Sequence, residues 1–163
     1  MTEHPFLLAS FYKGWDDYQQ HLVHALAPLS PEQLTLRVAS HLRSTGIIAA
    51  HIIGARARWL HHVLREGDEN LTALGTWDDP GQSARTAAEL VRGLEITWQV
   101  ILDALHRWTI TDLDEVLHVT DENGEEETFT RQWVIWHLIE HDLHHGGEIS
   151  FILGMHGLVA IDL

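Results

Sequence analysis

The sequence predicts an all-α four-helix bundle with a short β-hairpin or extended connection before the last helix. Three observations predict it. Four long segments repeat apolar residues at spacings of three and four, as one face of a helix requires. Breakers separate them: Pro28, then Gly75 to Gly81, then Asn123-Gly124. A length of 163 residues with 45% apolar content suits one domain, residues 1–163, with a sizeable core.

The first helix is predicted from Pro5 to Ala27, carried by Leu7, Phe11, Trp15, Tyr18, Leu22 and Leu26. Ser30-Pro31-Glu32-Gln33-Leu34 then reads as a Ser cap with proline in the first helical position, so a short helical turn follows. The second helix is predicted from Ser44 to Gly67, with Ile48, Ile52, Ala55, Trp59 and Val63 as its apolar stripe. Asp68 to Gln82 reads as a loop. The third helix starts at a Ser83 cap and buries Leu90, Leu94, Trp98, Ile101, Leu105 and Trp108. Leu117 and Val119 alternate with polar residues up to Asn123-Gly124, the strongest short hairpin signal. Thr130 caps a last helix running to about Leu153, with Gly154 near its end. The run Glu125-Glu126-Glu127 reads as solvated turn residues.

Composition excludes several functions. The formal net charge is −14, with Lys13 the only lysine beside nine arginines. Nucleic acid and anionic membrane surfaces are therefore not expected partners, because both are recognised by clustered cations. The absence of cysteine rules out disulfides, thiolate metal sites and a cysteine nucleophile. No apolar run is long enough for a membrane span or a signal segment, and a cytoplasmic protein is expected. Fourteen histidines would nearly cancel the net charge once protonated, so weaker metal binding and lower solubility are expected near pH 5.

The last helix carries four histidines within nine positions: His137, His141, His144 and His145. Spacing of four puts His137, His141 and His145 in one column. At about 100° per residue, Val134, Leu138, Glu148 and Ile152 share that column, so it faces inward. Imidazoles buried without partners are costly, and a metal ion supplies the partner. On the second helix His51 borders the apolar stripe, with Arg58 close to the same face; His61 and His62 lie further towards the end. Spacing alone does not choose between the pairs His137/His141 and His141/His145.

The chain resembles the DinB/YfiT-like family of metal-binding four-helix bundles. The likeness covers nearly its whole length: four helices, the Ser30-Pro31-Glu32-Gln33-Leu34 turn, His51 followed eight residues later by Trp59, and a fourth-helix motif. That motif in the family runs close to His-x-x-x-His-Arg-Gly-Gln-Ile/Leu; here it is His141 to Ile149, with Gly146 where arginine is usual and Glu148 where glutamine is common. Carried over, the resemblance implies His51, His141 and His145 as ligands of a divalent metal ion, zinc foremost, with nickel or manganese as alternatives. His137 becomes a neighbour or outer partner. Glu148 is the candidate catalytic group, as base, outer acceptor or fourth ligand.

Three histidines with an open position suit a catalytic site. The resemblance implies a transferase of low-molecular-weight thiols of the bacillithiol or mycothiol type, acting on an electrophile and paired as a homodimer. Such thiols carry carboxylates, and Arg43, Arg58 and Arg131 are the cations in reach. The alternatives are a metal-dependent hydrolase with Glu148 as base, and a metal-binding stress-response protein without turnover. A pocket reaching the metal, between the first and fourth helices or at the hairpin, separates enzyme from binder.

Overall fold

The computed structural model describes residues 8–120 and 123–163. The expected start of the first helix at Pro5 lies outside these residues. From Leu8 the segment is helical in two pieces, α1 (Leu8–Phe11) and α2 (Lys13–Leu26). The turn predicted after it is α3 (Pro31–Leu34), where the Ser30 and Gln33 side chains cap each other's backbone N–H.

The second long helix is α4 (Thr45–Arg58), capped by Ser44 Oγ accepting from the Ile47 N–H. It does not continue as an α-helix to Gly67. From Trp59 to Leu64 the turns widen into a π-helix, which stops where Arg65 adopts a left-handed φ of 59°. Asp68 to Gln82 also departs from expectation, because Asn70–Leu74 folds as a short helix, α5. The third long helix is α6 (Ala87–Arg107), and its cap is Thr86 rather than Ser83. Thr86 wins because Glu89 stands three residues on and its carboxylate accepts the Thr86 N–H at 2.8 Å, closing a reciprocal cap.

A 3-10 turn (Thr111–Asp114) leads to the hairpin of β1 (Val116–Thr120) and β2 (Glu126–Thr130), antiparallel with Leu117 opposite Phe129. Glu126 and Glu127 are thus exposed strand residues rather than turn residues. Thr130 caps α7 (Arg131–Met155) as expected. Among the described residues the architecture is mostly helical with one small two-stranded sheet, matching the predicted class.

Helix α4 packs against α7 and α6, and α2 packs against α6 and α7. Leu22, Ile52, Ile53, Leu94, Val134 and Ile149 are essentially inaccessible at the bundle centre. Among them runs a buried polar network. The Arg56 guanidinium donates to both Asp142 oxygens, at 2.7 Å for Nη2 to Oδ2, and to Gln19 Oε1 at 2.7 Å. Trp15 Nε1 also donates to Asp142 Oδ2 at 2.7 Å. Both members of this ion pair are fully buried, so each needs the other to remain charged. The network ties α2, α4 and α7 together next to His141.

Candidate metal centre

Helix α4 presents His51 and helix α7 presents His141 and His145, all half-buried. One nitrogen from each lies within 4.8 Å of the other two. The tightest approach is between His51 Nε2 and His141 Nε2, 3.2 Å. The ring centroids of His51 stand 4.9 Å from His141 and 4.7 Å from His145.

Carboxylates behind the rings set which nitrogen faces inward. His51 Nδ1 is 2.6 Å from Asp78 Oδ2, and His145 Nδ1 is 2.7 Å from Glu148 Oε2. An acceptor at Nδ1 holds the proton there and leaves Nε2 unprotonated, the arrangement usual behind metal-bound histidines. Asp78 is itself fixed by Arg58, which donates to Oδ1 at 2.6 Å and to Oδ2 at 3.1 Å. Burial pulls the Asp78 carboxyl upward, but its bonds to Arg58 and His51 prevail and hold it at about 2. Gly54 makes room for this contact: a Cβ there would overlap Asp78 Oδ1.

Electrostatics favour the neutral form of the two α7 rings. Burial, then the neighbouring His145, His51 and His137 rings, push His141 down to about 3. Burial also lowers His145, against the pull of Glu148. Neutral imidazoles with convergent free nitrogens are a fitting donor set for a borderline divalent cation. The Nδ1 of His141 is buried and has no partner among the described residues.

His137 lies apart from this cluster. Its ring stacks on Trp133 at 5.1 Å and 8°, and its centroid is 6.1 Å from that of His141. His144, His145 and Glu148 form a second close group, but it is drawn from one exposed helix face. His61 and His62 line a different cavity, about 590 Å3, beneath the hairpin with His118 and Arg65.

Two openings reach the cluster. A cleft of about 380 Å3 is lined by His137, Glu140, His141, His144 and His145. A cavity of about 560 Å3 includes His145 and Glu148 and runs between the chain at 38–43 and α7. Both openings lie along α7, the second of them beside the chain at 38–43. Of the three cations named from sequence, Arg58 is taken by Asp78, and Arg131 binds Glu115 and the Asp112 carbonyl at 2.6 Å each.

A family model described as the DinB family matches residues 1–161. The chain belongs to the DinB family. The crystal structure of a DinB-like protein from Bacillus cereus superposes with a TM-score of 0.71 at 22% identity, over 94% of this chain and 95% of that one. At that identity the likeness speaks for the DinB fold. None of the curated proteins compared matches this chain. Among its described residues, no helix is long and apolar enough to cross a membrane.

Sequence reasoning did not find Asp78, Arg56 or Asp142 in this DinB protein. Arg56 follows Ile52 by four, on the apolar stripe, and Asp142 follows Leu138 by four. Each was thus marked as inward-facing by spacing. Asp78 carried no such mark, because it lies in the loop between α5 and α6.

Proposed function

We propose that His51, His141 and His145 hold one divalent metal ion, zinc foremost with nickel or manganese as alternatives, and that the protein transfers a low-molecular-weight thiol to an electrophile. The observation that carries this is the convergence of three imidazoles from two helices, two of them braced by Asp78 and Glu148, with His141 and His145 also lining an open cleft. A structural metal site is closed on all sides, whereas a catalytic one keeps a position open. The ion would supply a Lewis-acidic position that favours the thiolate form of a thiol held beside it.

The chain's own residues do the rest. Asp78 and Glu148 fix the ring orientations. The Arg56–Asp142 pair holds α4 and α7 in register, so that His51 meets His141. The cleft admits the electrophile. In the transfer the thiol sulfur bonds to carbon, the leaving group departs with its electron pair, and the thiol proton passes to solvent. The same reading takes the protein as cytoplasmic and homodimeric, with exposed Trp136 and Leu143 on α7 as apolar surface for a second copy.

The test is conjugation of bacillithiol or a cysteine-containing analogue to a model electrophile, with zinc, nickel and manganese each loaded. Turnover that depends on metal and disappears in His145→Ala supports the reading. No rate above the uncatalysed reaction with any of the three would sink it for those substrates. The second reading, a hydrolase with Glu148 as base, differs over one carboxylate. The contact of Glu148 with His145 Nδ1 favours a bracing role instead. Under that role Glu148→Gln lowers metal affinity; a base role predicts lost turnover at unchanged metal affinity.

A further inference from the structure

The cavity beside His145 has two distinct surfaces. Most of its wall is aliphatic or aromatic: Val38 and Leu42 from the chain before α4, Ile48 from α4, Phe151 and Ile152 from α7. Val38, Leu42 and Phe151 are all more than 40% exposed, which is unusual for three neighbouring large apolar side chains. Against this wall stands Arg43. Among the described residues it makes no hydrogen bond or ion pair, while Arg56, Arg58, Arg85, Arg107 and Arg131 are each paired with a carboxylate. Arg37, Arg65 and Arg92 also lack a carboxylate partner among the described residues, but Arg43 is the arginine that lines this cavity.

The other ionisable groups facing the cavity are His41, His145 and Glu148. Glu148 is turned towards His145, whose Nδ1 lies 2.7 Å from its Oε2, so its carboxylate is directed at the histidine cluster. A divalent ion held by three imidazole nitrogens, which are uncharged donors, would keep its full charge, which adds to the cationic character of this end. The cavity therefore pairs one long apolar wall with a cationic mouth, and its volume of about 560 Å3 falls in the range of small-ligand pockets.

We infer that this groove selects the substrate, and that it takes an amphipathic carboxylate: an aliphatic or aryl body along Val38, Leu42, Ile48 and Phe151, with its anionic group on Arg43. Placed so, the ligand lies beside His145, at the edge of the histidine cluster. The inference rests on the reading of His145 as a metal ligand for its chemistry, but the binding selectivity belongs to the groove alone.

The probe is a series of linear carboxylates, from butanoate to octanoate, with octan-1-ol and octylamine as uncharged and cationic counterparts. Binding is measured by titration calorimetry at pH 7.5 on metal-free and zinc-loaded protein. Affinity is expected to rise up to roughly fourfold per added methylene until the wall is covered. Octanoate should bind more tightly than octan-1-ol, and octylamine more weakly than both. Arg43→Gln should weaken octanoate on the order of tenfold and leave octan-1-ol unchanged. Leu42→Glu, another exposed position, should weaken octanoate more than octan-1-ol.

Equal binding of octanoate and octylamine, a flat chain-length series, or indifference of octanoate to Arg43→Gln would each overturn the inference. Zinc content is read separately by elemental analysis. Carboxylate selectivity without zinc binding would refute the metal reading and leave the groove's specificity standing. Zinc binding without the selectivity would do the reverse.

Discussion

His51 Nε2 and His141 Nε2 stand 3.2 Å apart, joining positions separated by 90 residues. Two unprotonated ring nitrogens repel at that distance, and a proton or a cation between them removes the repulsion. The bundle accepts this arrangement because α4 and α7 are pinned by Arg56 and Asp142, close to the two rings.

Gly146 and Gly147 should respond to alanine with opposite signs. A Cβ on Gly146 would collide with the Tyr18 ring, while one on Gly147 meets nothing within 4 Å. Gly146→Ala should cost about 1–3 kcal/mol through overpacking. Gly147→Ala should gain up to about 1 kcal/mol from helix propensity. Urea unfolding of the two variants checks this; equal effects would contradict it.

Asp78→Asn should leave the fold intact and weaken zinc binding about 10- to 100-fold, because His51 loses the acceptor that orients it. Competition with a chelating dye measures the change. An unaltered affinity would mean that the contact between His51 and Asp78 does not serve the metal.

Much of the fold was legible in the sequence, and the reason is periodicity. The stripes through Trp15, Ile52, Trp98 and Leu138 mark faces that are buried in the structure. Asn123-Gly124 correctly placed the hairpin, and Thr130 the start of α7. What escaped lacks a periodic signature. The π-helix from Trp59 to Leu64 uses ordinary helix formers. The short α5 hides among turn residues. In the cluster, spacing marks the histidine column of α7, and the family motif points to His51, His141 and His145. Their bracing partner Asp78 is not marked, because a loop residue reaches its partner only through the tertiary fold. Glu148 is legible too, because it shares the face of His141 and His145; its carboxylate faces the Nδ1 of His145.

Breaking the buried ion pair should be expensive. Asp142→Asn leaves the Arg56 guanidinium fully buried without a counter-charge, and about 3–5 kcal/mol of stability should be lost. The combined change Arg56→Met with Asp142→Leu should recover much of it. Denaturant unfolding of the three proteins decides the matter; a single variant losing under about 1 kcal/mol would contradict a tight pair.

The metal-free protein should lose stability as pH falls from about 6.5 towards 3. In the unfolded chain His141 takes up a proton around 6.5, whereas in the fold it resists until about 3. Between those values the unfolded state binds more protons, so acid favours unfolding. His145 shifts in the same direction. Asp78 adds a second loss between 3.8 and about 2, where the unfolded carboxylate protonates first. The urea midpoint at pH 7.5, 6 and 5 follows the first effect. A slope no shallower in His141→Asn than in the parent protein would contradict it.

The most direct test of the metal centre is elemental analysis after zinc loading and removal of free ion at pH 7.5. One zinc per chain is predicted for the parent protein and for His137→Ala and His144→Ala. His51→Ala, His141→Ala and His145→Ala should each retain none while remaining folded by circular dichroism. Full zinc retention in His141→Ala, or its loss in His137→Ala, would contradict the assignment of the site.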